Sequence, residues 1–158
     1  MTDFQNAPDL YYEDLAVSRV LRCGTVEVNR EEMLDFAKRY DPQRFHLEEE
    51  AGNDSLFGGM SASGWFTAAL TMGLMVRGEF RFGGGAVGLG IDELRWPRPV
   101  HAGDRLTATV EVAAMRPSAS RPSHGVVKFV TTTRNQHGEV VMTKSAQVLV
   151  PRRPQARP

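Results

Sequence analysis

Most of the usual functional signatures are missing from this sequence. Its 158 residues hold one cysteine, Cys23. A single thiol cannot close an internal disulfide, so nothing points to an oxidising compartment and a small core role is expected. Net charge is missing too, because 19 basic side chains meet 19 acidic ones. That balance disfavours nucleic acid or an anionic membrane as the main partner. No repeat of fixed period is visible. The opening stretch MTDFQNAPDLYYEDL is acidic and polar. It lacks the basic-then-apolar layout of a secretion signal, and the cytoplasm is the expected location. His46, His101, His124 and His137 are scattered without ligand spacing, so no metal and no cofactor are expected. Gly83, Gly84 and Gly85 follow no strand and precede no helix, which makes a flexible connection rather than a phosphate loop.

One further lack is informative. From Ser55 to Val76 there is no charged residue. Gly58, Gly59, Gly64 and Gly73 interrupt this stretch and no basic cluster flanks it, so a membrane span is not expected. A helix buried on most sides of a soluble domain is the better reading. The chain length suits one domain, expected over residues 1–150. The tail PRRPQARP, 151–158, is expected to be a disordered basic end.

The pattern along the chain starts with TVEV, which alternates like a short strand. Asn29 then caps a helix, with Glu32 completing a capping-box pattern. Met33, Phe36, Ala37 and Tyr40 form its apolar face, and Pro42 stops it. LEEEAGND reads as a short acidic helix. The uncharged stretch reads as a long central helix whose N-terminal end is built from Gly59, Ser61, Ser63 and Gly64. Then the period changes to two. AVGLGIDELRW, DRLTATVEVAA, GVVKFVTTTRN and EVVMTKSAQVLV are four predicted strands, with a hairpin turn at NQHG, 135–138. This order predicts an α+β domain, one antiparallel sheet wrapped around one helix. Such a sheet leaves an edge strand that a second copy would cover.

Chemistry needs a proton acceptor, a proton donor and a place for developing charge. YDPQRFH, 40–46, sets Asp41 and His46 around a proline bend. Histidine titrates near neutral pH, so the two can share proton traffic. Free backbone N–H groups near Gly59 and Met60 would favour negative charge. Residue type alone also allows a bland bend, in which Asp41 bonds its own turn and His46 caps the acidic helix. Trp65 and Phe66 either line a pocket or fill the core. Ser63 either faces the substrate or only caps the helix.

FAKRYDPQRFH, FGGMSASGW and LGIDELRWPRPVHAGDRL, in that order, resemble the MaoC-like acyl dehydratases and their relatives, the (R)-specific enoyl-CoA hydratases. The resemblance covers roughly residues 20–150. It implies the hot-dog fold, a single domain with a long central helix wrapped by an antiparallel sheet. It also implies hydration of a trans-2-enoyl thioester, or the reverse. Asp41 and His46 match the catalytic pair that activates water, and Gly59, followed by Met60, matches a backbone donor to the thioester carbonyl. The acyl-CoA would be the substrate, and the site would lie at a dimer interface, in a homodimer or a dimer of dimers. Two alternatives stay open: a non-catalytic acyl-CoA-binding or partner subunit, and a hot-dog thioesterase. The latter lacks an Asp or Glu on the central helix.

Overall fold

Residues 8–155 are described by a computed structural model of the chain. A short 3-10 turn, Tyr12–Asp14, precedes β1, Val20–Glu27. Then come α1, Arg30–Tyr40; α2, Arg44–Leu47; α3, Glu49–Asn53; and α4, Gly64–Arg77. Four strands close the chain: β2, Val87–Arg95; β3, Arg105–Pro117; β4, His124–Arg134; and β5, Val140–Pro151. The sheet is antiparallel throughout, in the order β1-β3-β4-β5-β2. The expected α+β architecture, one helix against one sheet, is the one observed.

Local chemistry sets each boundary. Asn29 caps α1, and its Oδ1 accepts from the Glu31 and Glu32 N–H groups at 2.9 and 3.1 Å. β1 starts earlier than TVEV suggested, because a bulge at Gly24, φ 82°, breaks its alternation. The acidic segment forms the expected short helix, α3, and a further short helix, α2, lies in the bend before it. The hairpin turn at Asn135–Gly138 is present, with Gly138 at φ 74°.

Three expectations need correction. First, α4 begins at Gly64, not Gly59; Ser63 caps it and accepts from the Trp65 N–H at 3.3 Å. Residues 59–62 run as an approach segment instead. Second, α4 is not covered on most sides. Phe66, Thr67, Thr71, Leu74 and Met75 are buried, while Trp65, Met72 and Val76 are about half exposed. Third, the basic tail is not loose as far as it is described. Arg152 pairs with Glu13 at 3.0 Å, and Arg153 pairs with Asp14 at 2.6 Å and lies over the Tyr11 ring. Residues 156–158 lie outside the described residues.

The core has two parts. One packs Leu74 and Met75 of α4 against Val110, Val127 and Phe129 of the sheet, with Phe80 and Phe82. Thr71 and Thr133 join helix to sheet with a 2.9 Å hydroxyl pair. The other gathers Met33, Met60, Phe66, Leu106 and Val141, rooting α1 and the approach segment in one place. Each such buried side chain contributes about 1.5–3 kcal/mol. Cys23 sits in the first part, where burial and then the nearby Glu79 charge push its thiol up to about 12. At the far edge, β2 leaves Val87, Leu89 and Ile91 more than half exposed. Among the described residues, no helix is long and apolar enough to cross a membrane.

Candidate active site

Pro42 ends α1, since the residue before a proline is pushed out of the helical region. Asp41 takes that exit at φ −150°, ψ 66°. The chain restarts at α2 and sets His46 on its buried side, 5% exposed. The bend thus delivers both side chains to one place: His46 Nε2 lies 3.3 Å from Asp41 Oδ2.

The approach segment supplies the rest. His46 Nδ1 is 2.7 Å from the Ser61 carbonyl. A carbonyl only accepts, so Nδ1 carries a proton. That leaves Nε2 as the ring's proton-accepting position when the ring is neutral. Ser63 Oγ donates to Asp41 Oδ2 at 2.7 Å, and Gln43 Nε2 donates to Oδ1 at 2.8 Å. Burial pushes the Asp41 carboxyl up. The Ser63 and Gln43 bonds, with the His46 charge, outweigh it and hold the carboxyl below its ordinary value.

The segment itself is clamped on both sides. Ala62 N–H donates to the Val100 carbonyl at 2.7 Å, and His101 Nδ1 donates to the Met60 carbonyl at 3.1 Å. Gly59 N–H donates to the Gly52 carbonyl at 3.1 Å. Gly52 must be glycine, because a Cβ there would lie 2.4 Å from the Met60 nitrogen.

A cavity of about 330 Å³ opens over the pair. Asp41, His46, Gly64, Trp65, Trp96 and Arg98 are among its lining residues. The Trp65 and Trp96 rings meet edge-on at 5.3 Å. Arg98 reaches back to Glu139 at 3.5 Å. Trp96 also lies against Gly64, where a Cβ would sit 2.7 Å from the indole.

Of the residues singled out in the sequence, the structure brings together Asp41, His46, Ser63 and Trp65. It does not bring Gly59, Met60 or Phe66 to the cavity. The Gly59 N–H is occupied by Gly52, Met60 is buried in the core, and Phe66 packs on Phe36 at 5.5 Å. Gly64 was named only as one of the small residues at the helix opening. It opens α4, lines the cavity, and its N–H has no hydrogen-bond partner among the described residues. The pair Ser63-Gly64, a capping residue and then a small one, was the signal for it. Ser61 was named only in the same way, and Gln43 and Trp96 were overlooked. Ser61 Oγ is buried with no hydrogen-bond partner among the described residues.

Two outcomes follow. Gly64→Ala is expected to displace Trp96, shift the tryptophan emission and cost about 1–3 kcal/mol of stability. Gly59→Ala, with only an ordinary 3.5 Å contact to His101, should leave both near wild type. Fluorescence and urea unfolding check both, and equal changes would overturn the placement of Gly64, rather than Gly59, against the cavity wall. Ser63→Ala should move the Asp41 carboxyl titration upward, read by carbon NMR. A depressed carboxyl stabilises the fold above its unfolded value and loses that contribution as pH falls through its folded value. The stability gap between wild type and Ser63→Ala should therefore close on acidification below the ordinary carboxylate range.

Comparison with known proteins agrees with this fold. A family model described as MaoC like domain matches residues 16–135. A MaoC-like dehydratase from Rhodospirillum rubrum is 45% identical in its crystal structure, covering 92% of this chain and 99% of that one, at a TM-score of 0.88. An (R)-hydratase from A. caviae, involved in PHA biosynthesis, is 28% identical, covering 88% and 99%, at a TM-score of 0.71. The uncharacterized protein YdeM of Bacillus subtilis (strain 168) is 26% identical over 140 residues, 89% of this chain and 98% of that one. With the hot-dog fold in place and most of the chain matched, the protein belongs to the MaoC-like dehydratase family.

Proposed function

We propose that this protein is a hydro-lyase that adds water to a trans-2-enoyl-CoA thioester, or removes it in the reverse direction. The observation that carries the reading is the pairing of two acceptors. With its proton on Nδ1, neutral His46 turns Nε2 toward an ionised Asp41 oxygen 3.3 Å away. A substrate water that donates one hydrogen to each is held with a lone pair free to attack.

In hydration the water oxygen bonds to C3 of the enoyl group. The C2=C3 π electrons move toward C2 and the thioester oxygen, and a water proton passes to the Asp41–His46 pair. The same pair then returns a proton to C2, so the sum is one water added. The Gly64 N–H, at the start of α4, is the donor we assign to the thioester oxygen as it gains charge. This gives Gly64 the role that the sequence suggested for Gly59. Asp41, held ionised by Ser63 and Gln43, offsets the positive charge that His46 gains.

We further propose that a second copy pairs along β2. The exposed Val87, Leu89 and Ile91, with Trp65, Met72 and Val76 on α4, support this, since one chain leaves them bare. Sedimentation equilibrium should give a mass of at least two chains, and Leu89→Asp should lower it. A single-chain mass for wild type at micromolar concentration would exclude the pairing.

The reaction is checked by hydration of a panel of trans-2-enoyl-CoA thioesters, followed by loss of the conjugated absorbance. Asp41→Asn and His46→Gln should each lose roughly a hundredfold or more of kcat/KM while staying folded. No turnover at any chain length, with acyl-CoA binding retained, would replace the enzyme by a binding or partner subunit.

A further inference from the structure

A second cavity, of about 460 Å³, lies between the C-terminal half of α4 and the β2–β5 side of the sheet. Its walls are mostly apolar and include Met72, Val76, Phe80, Phe82 and Ile91. Trp65, on the wall of the catalytic pocket, and Met72 and Val76, on the wall of this one, share a stripe of α4. Met72 is about 10 Å beyond Trp65 along the helix axis. The two cavities therefore lie one after the other along the same face of the helix.

Lys144 is the odd residue in this wall. On β5 it stands between Met142 and Ala146, both buried on the face that looks toward α4. Across the strands it is opposite Thr131 of β4 and Leu94 of β2. An inward position in a sheet normally holds an apolar side chain. The lysine has no ion pair and no hydrogen bond among the described residues. Arg81, the other cation at the cavity, is already paired with Asp9 at 3.1 Å. Burial pushes the Lys144 amine down, and no carboxylate offsets that effect. A carboxylate arriving with a ligand would supply what the wall lacks.

We propose that this cavity receives the far end of the substrate's acyl group, and that Lys144 selects acyl groups ending in a carboxylate. The inference rests on the hydratase reading, because it takes the reacting end of the same acyl group to be held at Asp41 and His46. The substrate class is then a trans-2-enoyl thioester with a second, terminal carboxylate. Apolar walls hold the methylene chain and a single cation reads its end, a division common in small-molecule sites.

Saturated acyl-CoA thioesters are the probes, in pairs of equal length that end in a methyl or a carboxylate. Titration calorimetry over a range of lengths should give wild type a preference of roughly tenfold for the carboxylate at one length or more. Lys144→Met keeps the side-chain volume and should reverse that preference. Lys144→Arg should keep it. A wild type that favours the methyl end at every length overturns the proposal. So does a Lys144→Met protein with an unchanged ratio, the result expected if the amine meets a carboxylate of a second copy. The probes do not react, so binding and turnover are read separately. A retained carboxylate preference without hydration of the matching enoyl thioester would remove the catalytic reading alone.

Discussion

The bond from His46 Nδ1 to the Ser61 carbonyl is the constraint on which the rest of the site depends. It fixes which ring nitrogen holds the proton and turns the other toward Asp41. It also ties α2 to the segment that leads into α4. A backbone acceptor cannot rotate away as a side chain can, so the ring orientation is inherited from the main chain. Everything that holds residues 59–62 therefore holds the histidine.

That segment is held from three directions. Gly52 lies against it from α3, Val100 and His101 grip it from the β2–β3 connection, and Met60 roots it in the core. Ser63 then ends the segment with a hydroxyl that serves two purposes, capping α4 and holding Asp41. The start of the helix and the acidic partner are thus positioned by one oxygen. Geometric precision at the bend comes from elements distant in sequence, which is how a short proline turn acquires a fixed geometry.

The strands were legible because alternation and turn residues agree over long runs, as in DRLTATVEVAA and NQHG. Asp41 and His46 were legible through the proline bend and the family pattern around them. The helix start was not. Gly58 and Gly59 look like a small-residue opening, and nothing local says that Gly59 N–H is taken by Gly52. Ser61 was illegible for a different reason: it contributes its carbonyl to His46, and main-chain groups carry no residue signature. Phe66 and Trp65 are adjacent and both aromatic, yet one faces the core and the other the cavity. Only the helix phase, set by Ser63, separates them. The tail looked too polar to be held, because its anchors, Glu13 and Asp14, lie at the other end of the chain.

Cys23 gives the molecule a property unrelated to its chemistry. The only thiol in the chain is 2% exposed, and its pKa lies far above neutral. Thiolate, not thiol, reacts with alkylating reagents. In the folded state the sulfur is therefore shielded twice, by access and by protonation. β1 and α4 must separate before it can react. The rate of labelling at this one atom is then a clock for opening of the core, built into the native sequence without an added probe.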